Sequence, residues 1–466
     1  SLPGTEIYED EADIIINMII DDRITGLRVV PQTGGGWSWG TLRNINYFLE
    51  NSYRCPDDEV EKHYNGIARF FRAYFYYTKV ARFGDVPWYD KQLGSGDAEL
   101  YKPRDSRELV MQNIIADLDY AIENLPSTKS VYTITKWTAL AYKSRICLFE
   151  GTFRKYHGMA DADKYLAKAV EYSEQFIDAS PFSLYSSGNT PYRDLFVSLN
   201  AITQEVVLAR HYDTAYSVFH SMGSTTEFGR ASVTRRFINH YLMADGTRFT
   251  DKSDWQTMGY MDETKNRDPR LAQTIHGPNY VAVAETAHET LDWERTLNGY
   301  RVIKYISDAS HEGATTSTSD FALFRYAEVL LNAAEAHNEA GDQGKAYEYV
   351  NLVRARVGLP ALAEGMNKDQ FRAALLRERD CEFGFEEFRW FDMIRYGLHE
   401  DFTKQLYGLY SEGKGGKPDN PDSFTYSKYE LATRSWAINW DTKWYLAPIP
   451  VTEVNKGYGM TQNPGW

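Results

Sequence analysis

Apolar residues recur at helical spacing in three separated pairs of segments, and this pattern limits the fold more than any other feature of the chain. From His63 to Phe83, a stripe of Ile67, Phe70, Phe71, Tyr74, Tyr77 and Ala81 runs until Gly84 and Pro87 stop it. Phe70, Phe71, Tyr74 and Tyr77 are expected in the core. Beyond a loop, Ser106 stands at a capping position, and Val110, Ile114, Leu118, Ala121, Ile122 and Leu125 form a second stripe before Pro126. The plan recurs over Lys136 to Tyr156 with Asp163 to Ala179. It recurs again over Phe321 to Ala340 with Lys345 to Val357, joined by Gly341-Asp342-Gln343-Gly344. Small residues such as Ala334 and Ala346 let paired helices approach closely, as in tetratricopeptide hairpins.

The hairpins are interrupted. Residues 182–320 show no sustained helical period and are rich in Gly, Thr, Asn, Asp and aromatics, a composition suited to binding loops on a rigid frame. A second irregular stretch carries Gly413, Gly416, Pro418 and Pro421. We therefore expect a mainly α chain built as a single unit over 1–466. Its helical scaffold covers 1–181, 321–397 and 444–466, and its loop-rich ligand subdomain covers 182–320, with a second excursion over 398–443.

Several function classes fall away. With 51 basic against 65 acidic residues the net charge is −14, which repels phosphate backbones and disfavours nucleic acid. No stretch approaches the roughly 20 apolar residues of a membrane-crossing helix. Cys55, Cys147 and Cys381 lie far apart without a CxxC pair, so neither a disulfide framework nor a zinc ribbon is suggested. HExxH, GxSxG, P-loop and GxGxxG motifs are absent. The best calcium-loop candidate, starting at Asp251, puts Trp255 where an oxygen ligand is needed. No metal and no cofactor are expected. Adjacent Glu386 and Glu387 point in different directions on a helix, which argues against a catalytic carboxylate pair.

The aromatic content, 34 Tyr, 23 Phe and 11 Trp, is the sharper clue. A pyranose offers an apolar C–H face and a rim of hydroxyls, so a flat ring beside amide or guanidinium donors grips it. Trp37 and Trp39 follow Gly34-Gly35-Gly36. They either stand on a loop, with Arg43 and Asn46 on the next helix reaching sugar hydroxyls, or cap that helix and pack inward. Trp255, Tyr260, Tyr280 and Trp293 face the same choice between ligand platform and buried peg.

Several strings resemble the SusD/RagB family. The first runs from His63 through Asn65-Gly66-Ile67-Ala68-Arg69-Phe70-Phe71-Arg72-Ala73-Tyr74 and on to Arg82-Phe83-Gly84-Asp85-Val86-Pro87. The second comprises Arg377-Glu378-Arg379, Glu382-Phe383, Phe385-Glu386, Arg389, Asp392 and Arg395 to Gly397; the third comprises Leu446-Ala447-Pro448-Ile449-Pro450, Glu453 and Gln462-Asn463-Pro464-Gly465-Trp466. Asn266-Arg267-Asp268-Pro269-Arg270, after Asp245-Gly246, is similar to a further family stretch. Glu387 stands where the family often has Gly, and Lys456 replaces a Pro.

The resemblance implies a surface-exposed outer-membrane lipoprotein of Bacteroidetes that captures a glycan, or sometimes another nutrient, for a SusC-like TonB-dependent transporter. It implies hairpins facing the transporter and loops facing ligand. It also implies an N-terminal signal and lipid-bearing Cys preceding Ser1. Two rival readings stay open. A helical glycoside hydrolase would show turnover, and an intracellular tetratricopeptide scaffold would grip a peptide without needing the long insert.

Overall fold

The computed structural model describes residues 13–16, 22, 26–223, 226, 232–258, 260–283, 285–289, 291–307, 317–398, 401, 407–411, 424–428 and 440–466. The fold is mainly α. Its long helices among these residues are α1 (Gly40–Asn51), α2 (Asp58–Phe83), α3 (Arg107–Asn124), α4 (Lys136–Tyr156), α5 (Ala162–Ala179), α6 (Tyr326–Ala340), α7 (Gln343–Arg356), α8 (Lys368–Phe383) and α9 (Phe388–Tyr396).

Local chemistry sets the helix ends. The Asp57 carboxylate accepts from the amides of Glu59 and Val60 at 3.0 and 3.1 Å and opens α2. Ser106 caps α3 as expected, taking the Leu109 amide at 3.3 Å, and Thr135 with Thr138 forms a reciprocal capping box on α4. Gly84 ends α2 at φ +74°, a conformation that favours glycine.

The helices pair as the periodicity predicts: α2 with α3, α4 with α5, and α6 with α7, with α5 also packed on α6. Contact between α4 and α5 is close because Gly151 has no side chain; a Cβ there would lie 2.9 Å from the Leu166 backbone nitrogen. Between α6 and α7, Ala327, Ala333, Ala334 and Ala346 are completely buried.

Helix α2 begins at Asp58, ahead of the His63 of the sequence reading, and a second boundary differs for a clearer reason. Helix α6 starts at Tyr326, not Phe321, because the preceding five residues are a strand. Strand β1 (Ile15–Ile16) pairs with β3 (Ser232–Val233), β2 (Val206–Arg210) with β4 (Phe321–Arg325), and β5 (Tyr407–Ser411) with β6 (Phe424–Lys428), all antiparallel. The β2 ladder and the ion pairs of Arg325 hold residues 321–325 extended, overriding the helical spacing of Leu323 with Ala327. Apart from residue 398, Asp401, β5, β6 and residues 440–443, the 398–443 excursion lies outside the described residues, including its Gly and Pro cluster.

Within 182–320 the longest described helix is the short Pro191–Val197. This segment has a core of its own, including Tyr192, Phe237, Leu271 and Tyr300, into which Cys381 and Phe385 project from the frame. Buried charge joins the two more specifically. Glu382 accepts from Arg270 at 3.0 Å and from Arg325 at 3.0 Å, and also pairs with Arg356. Glu205 takes Arg325 at 2.9 Å and Arg356 at 3.2 Å. Nearby, Asp392 receives Arg379 at 2.7 Å and Arg395 at 2.7 Å, while Arg389 forks onto Asp13 at 2.6 and 2.9 Å. The second signature block is thus largely a set of buried ion pairs.

The C-terminal signature closes the frame. Asn463 donates to the carbonyls of Phe83 and Ala447 at 3.0 and 2.7 Å, and Gln462 brackets the backbone of Ile449. No described helix is long and apolar enough to cross a membrane. The three cysteines are free.

Burial acts to raise the Glu382 carboxyl, but Arg356, Arg325 and Arg270 outweigh it and hold the group below its ordinary 4.5. Asp392 is likewise lowered by Arg379 and Arg395 against the effect of burial. A carboxylate depressed on folding contributes stability above its unfolded pKa and loses it as pH falls through the folded value. Urea midpoints should therefore be steady near neutrality and fall once pH drops below 4.5. Glu382→Ala, which removes the one carboxylate shared by three buried guanidinium groups and leaves their positive charge under-compensated, should cost about 3–5 kcal/mol of unfolding free energy at pH 7. A loss below about 1 kcal/mol would contradict the role assigned to this carboxylate.

Candidate functional site

A groove of about 1300 Å³ opens where α1, α2, α4 and α9 meet residues 210–221 and the chain near Trp444. Helical spacing explains its longest wall. On α2, Tyr64, Ile67, Ala68, Phe71, Tyr74, Phe75, Thr78 and Arg82 fall on one face and line it. Phe70 and Tyr77 are buried as expected, whereas Phe71 and Tyr74 are only half-buried; Tyr77 lines the groove with them. The stripe expected to be core is therefore partly the groove wall.

Helix α1 supplies a second wall through Thr41, Asn44, Ile45 and Phe48. Arg43, although exposed, is not on that face. Asn46 faces the other way and is 1% exposed, donating to the carbonyls of Tyr89 and Lys91 at 3.0 and 3.1 Å and accepting from Arg72 at 3.4 Å. Its amide serves the fold and is not available to a sugar hydroxyl. The spacing 41, 44, 45 and 48 could have identified the groove face from sequence alone.

The two indoles take the inward alternative. Trp37 is 9% exposed, its ring edge-on to Phe83 at 5.0 Å and to Trp39 at 5.3 Å. Trp39 is half-buried against Phe75 and Tyr89. Neither ring lines the groove, although Gly36, Ser38 and Thr41 beside them do. A large apolar ring next to a hydrophobic helix end gains more from packing than from display.

The insert aromatics also divide. Tyr260 is 2% exposed and its hydroxyl donates to the His276 carbonyl, so it is a buried peg. Tyr280 is 5% exposed, with its hydroxyl accepting from Arg193 at 3.1 Å. Trp255 is half-buried and lies 5.7 Å from the Arg235 guanidinium, away from the groove lining. Trp293 begins a short 3-10 turn, and its side chain lies outside the described residues. The insert meets the groove through Arg210, Tyr212, Phe219, His220 and Ser221, none of which the aromatic argument singled out. Buried Asp320 fixes this wall by accepting from the amides of Tyr212 and Ala201 at 3.1 and 2.8 Å, from the Tyr132 hydroxyl at 2.5 Å, and by bonding His211 at 2.8 Å.

Two of the groove-lining carboxylates are held by cations. Groove-lining Glu386 accepts from Lys304 at 2.7 Å and from Arg325 at 2.8 Å, and Asp392 is committed to Arg379 and Arg395. Burial pushes the Tyr74 phenol up to about 12, so it remains a neutral donor. Beside the Gly36 carbonyl, burial and then Arg82 bring the Lys79 ammonium down to about 8. Glu387 sits at φ +67°, which accounts for a glycine being suited to that position. Among the described residues, no cluster of three His, Cys, Asp or Glu side chains is placed to hold a metal.

Two family models match the chain. One, described as the SusD family, covers residues 204–466, and another, described as starch-binding and associating with outer membrane, covers residues 39–148. The SusD-like protein P2 of Formosa agariphila is 26% identical over 445 residues, which span 92% of this chain and 79% of that protein. The starch-binding protein SusD of Bacteroides thetaiotaomicron is 25% identical over 476 residues, spanning 91% and 76%. A solved SusD-like protein from Bacteroides fragilis superposes with a TM-score of 0.80 at 23% identity, covering 100% of this chain and 94% of that one.

The placement of Trp37 gives a direct check. Trp37→Ala should lower unfolding free energy by roughly 3–5 kcal/mol, the cost of emptying a packed aromatic site. In the same denaturation assay Arg43→Ala, on an exposed helical surface, should change it by less than about 0.5 kcal/mol.

Proposed function

The chain belongs to the SusD family, and from that premise we propose that it is a glycan-binding protein of the outer membrane that holds an oligosaccharide in the aromatic groove. The groove carries the reading. Its volume of about 1300 Å³ exceeds the roughly 300–1000 Å³ of an ordinary small-molecule pocket and suits several linked sugar rings. Exposed Phe48 and Tyr64 stand on one side and Phe219 on another, offering flat faces to pyranose C–H surfaces. Asn44, Thr41 and Ser38 supply hydroxyl partners along the first wall. The names of the starch-binding relative and of the second family model agree with this ligand class and with the membrane association.

The protein acts by binding, in this reading, and delivers its cargo to a SusC-like TonB-dependent transporter while anchored at the cell surface by an N-terminal lipid. A glycosidase needs one carboxyl poised as an acid and a second placed as base or nucleophile. Here Glu386 and Asp392 are tied up in ion pairs that fix them as structural anions. The division of labour follows: the helical scaffold over 1–181, 321–397 and 444–466 builds most of the groove, and the subdomain over 182–320 contributes the edge at residues 210–221.

Calorimetry against a panel of neutral and acidic oligosaccharides tests this. Micromolar to millimolar binding is expected, without release of reducing ends. Phe48→Ala and Phe219→Ala should each weaken the bound glycan about two- to tenfold, the worth of one ring contact. Sustained reducing-sugar release abolished by Glu387→Gln would favour the hydrolase instead.

A further inference from the structure

The groove carries more positive charge than an acidic chain leads one to expect. Its lining acids are Glu386, Glu387 and Asp392, and the carboxylates of Glu386 and Asp392 are already neutralised by Lys304, Arg325, Arg379 and Arg395. Two of its lining cations, on different walls, have no carboxylate partner among the described residues. Lys79, on α2, is 8% exposed; its ammonium donates to the Gly36 carbonyl and lies 5.1 Å from the Phe75 ring centre, and no carboxylate among the described residues pairs with it. Arg210, at the end of β2, is exposed and lies 5.0 Å from the Tyr212 ring, again with no carboxylate partner among the described residues.

A buried ammonium without a counter-ion is expensive, because transfer from water strips its hydration and a neutral carbonyl restores only part of it. The arrangement is one that an incoming anion completes. An anionic group beside Lys79 restores the missing partner in a partly desolvated place, where the interaction is screened least. Arg210 adds a planar fork suited to carboxylate or sulfate oxygens. The aromatic side chains that line the same groove take the sugar body.

We propose that the groove selects an acidic oligosaccharide, one bearing uronate carboxylates or sulfate esters, through Lys79 and Arg210. This rests on the groove being the glycan site. It goes further in naming the chemical class of the sugar, and the two levels fail separately.

The test is calorimetry at low ionic strength with oligogalacturonate, a sulfated galactan oligosaccharide, and malto- and cello-oligosaccharides of equal length. An acidic glycan should bind about tenfold or more tighter than any neutral one, and raising salt should erode that advantage. Which acidic ligand wins separates carboxylate from sulfate as the source. Arg210→Gln, a substitution at an exposed position, should weaken acidic binding by about two- to fivefold. Adding Lys79→Met, which keeps the aliphatic stem, should weaken it further, with circular dichroism melts confirming the fold. Neutral sugars binding as tightly as acidic ones, or an unchanged acidic affinity in the double variant, would overturn the proposal and leave the glycan-binding reading intact. Failure of every sugar to bind would remove both.

Discussion

The structure depends on a lattice of buried guanidinium and carboxylate groups centred on Glu382. That residue sits on α8 and receives Arg270 from the insert, Arg325 from β4 and Arg356 from α7. Buried ion pairs recover little net energy, since desolvation consumes most of the Coulombic gain. Their effect is selective: any arrangement that misplaces one partner leaves an uncompensated charge in the interior. The hydrophobic clusters hold the frame and insert together in a general way, while the lattice specifies one relative placement. The groove inherits that placement, because Arg325 also holds Glu386, which lines it.

The helical hairpins were legible in the sequence because a 3.6-residue period and its capping chemistry are local properties. Ser106 and Gly84 act as their sequence positions suggest. The start of α6 was not legible, since the extended state of residues 321–325 is imposed by β2, more than a hundred positions away in the chain. Local spacing cannot carry that information.

The site was less legible than the fold, for a physical reason. Periodicity reveals that a helix face is apolar, but not whether protein or solvent covers it. Phe71 and Tyr74 share a stripe with Phe70 yet border the groove. The reverse holds in the insert, where aromatics lacking a period proved to be pegs: Tyr260 and Tyr280 satisfy their hydroxyls inside the protein. On α1 the direction was correct and the face was not, since Asn46 turns toward Arg72 while Asn44 turns toward the groove. The signature strings identified the family through residues such as Arg395, Glu382 and Asn463, whose visible work is architectural.

The groove is assembled from places near residues 44, 71, 145, 212, 391 and 445, so no contiguous fragment contains it. The wall at Trp444, Tyr445 and Ala447 is tied to the end of α2 by Asn463, which donates to the Phe83 and Ala447 carbonyls. A fragment that keeps several hairpins but lacks one of these places lacks part of the groove wall.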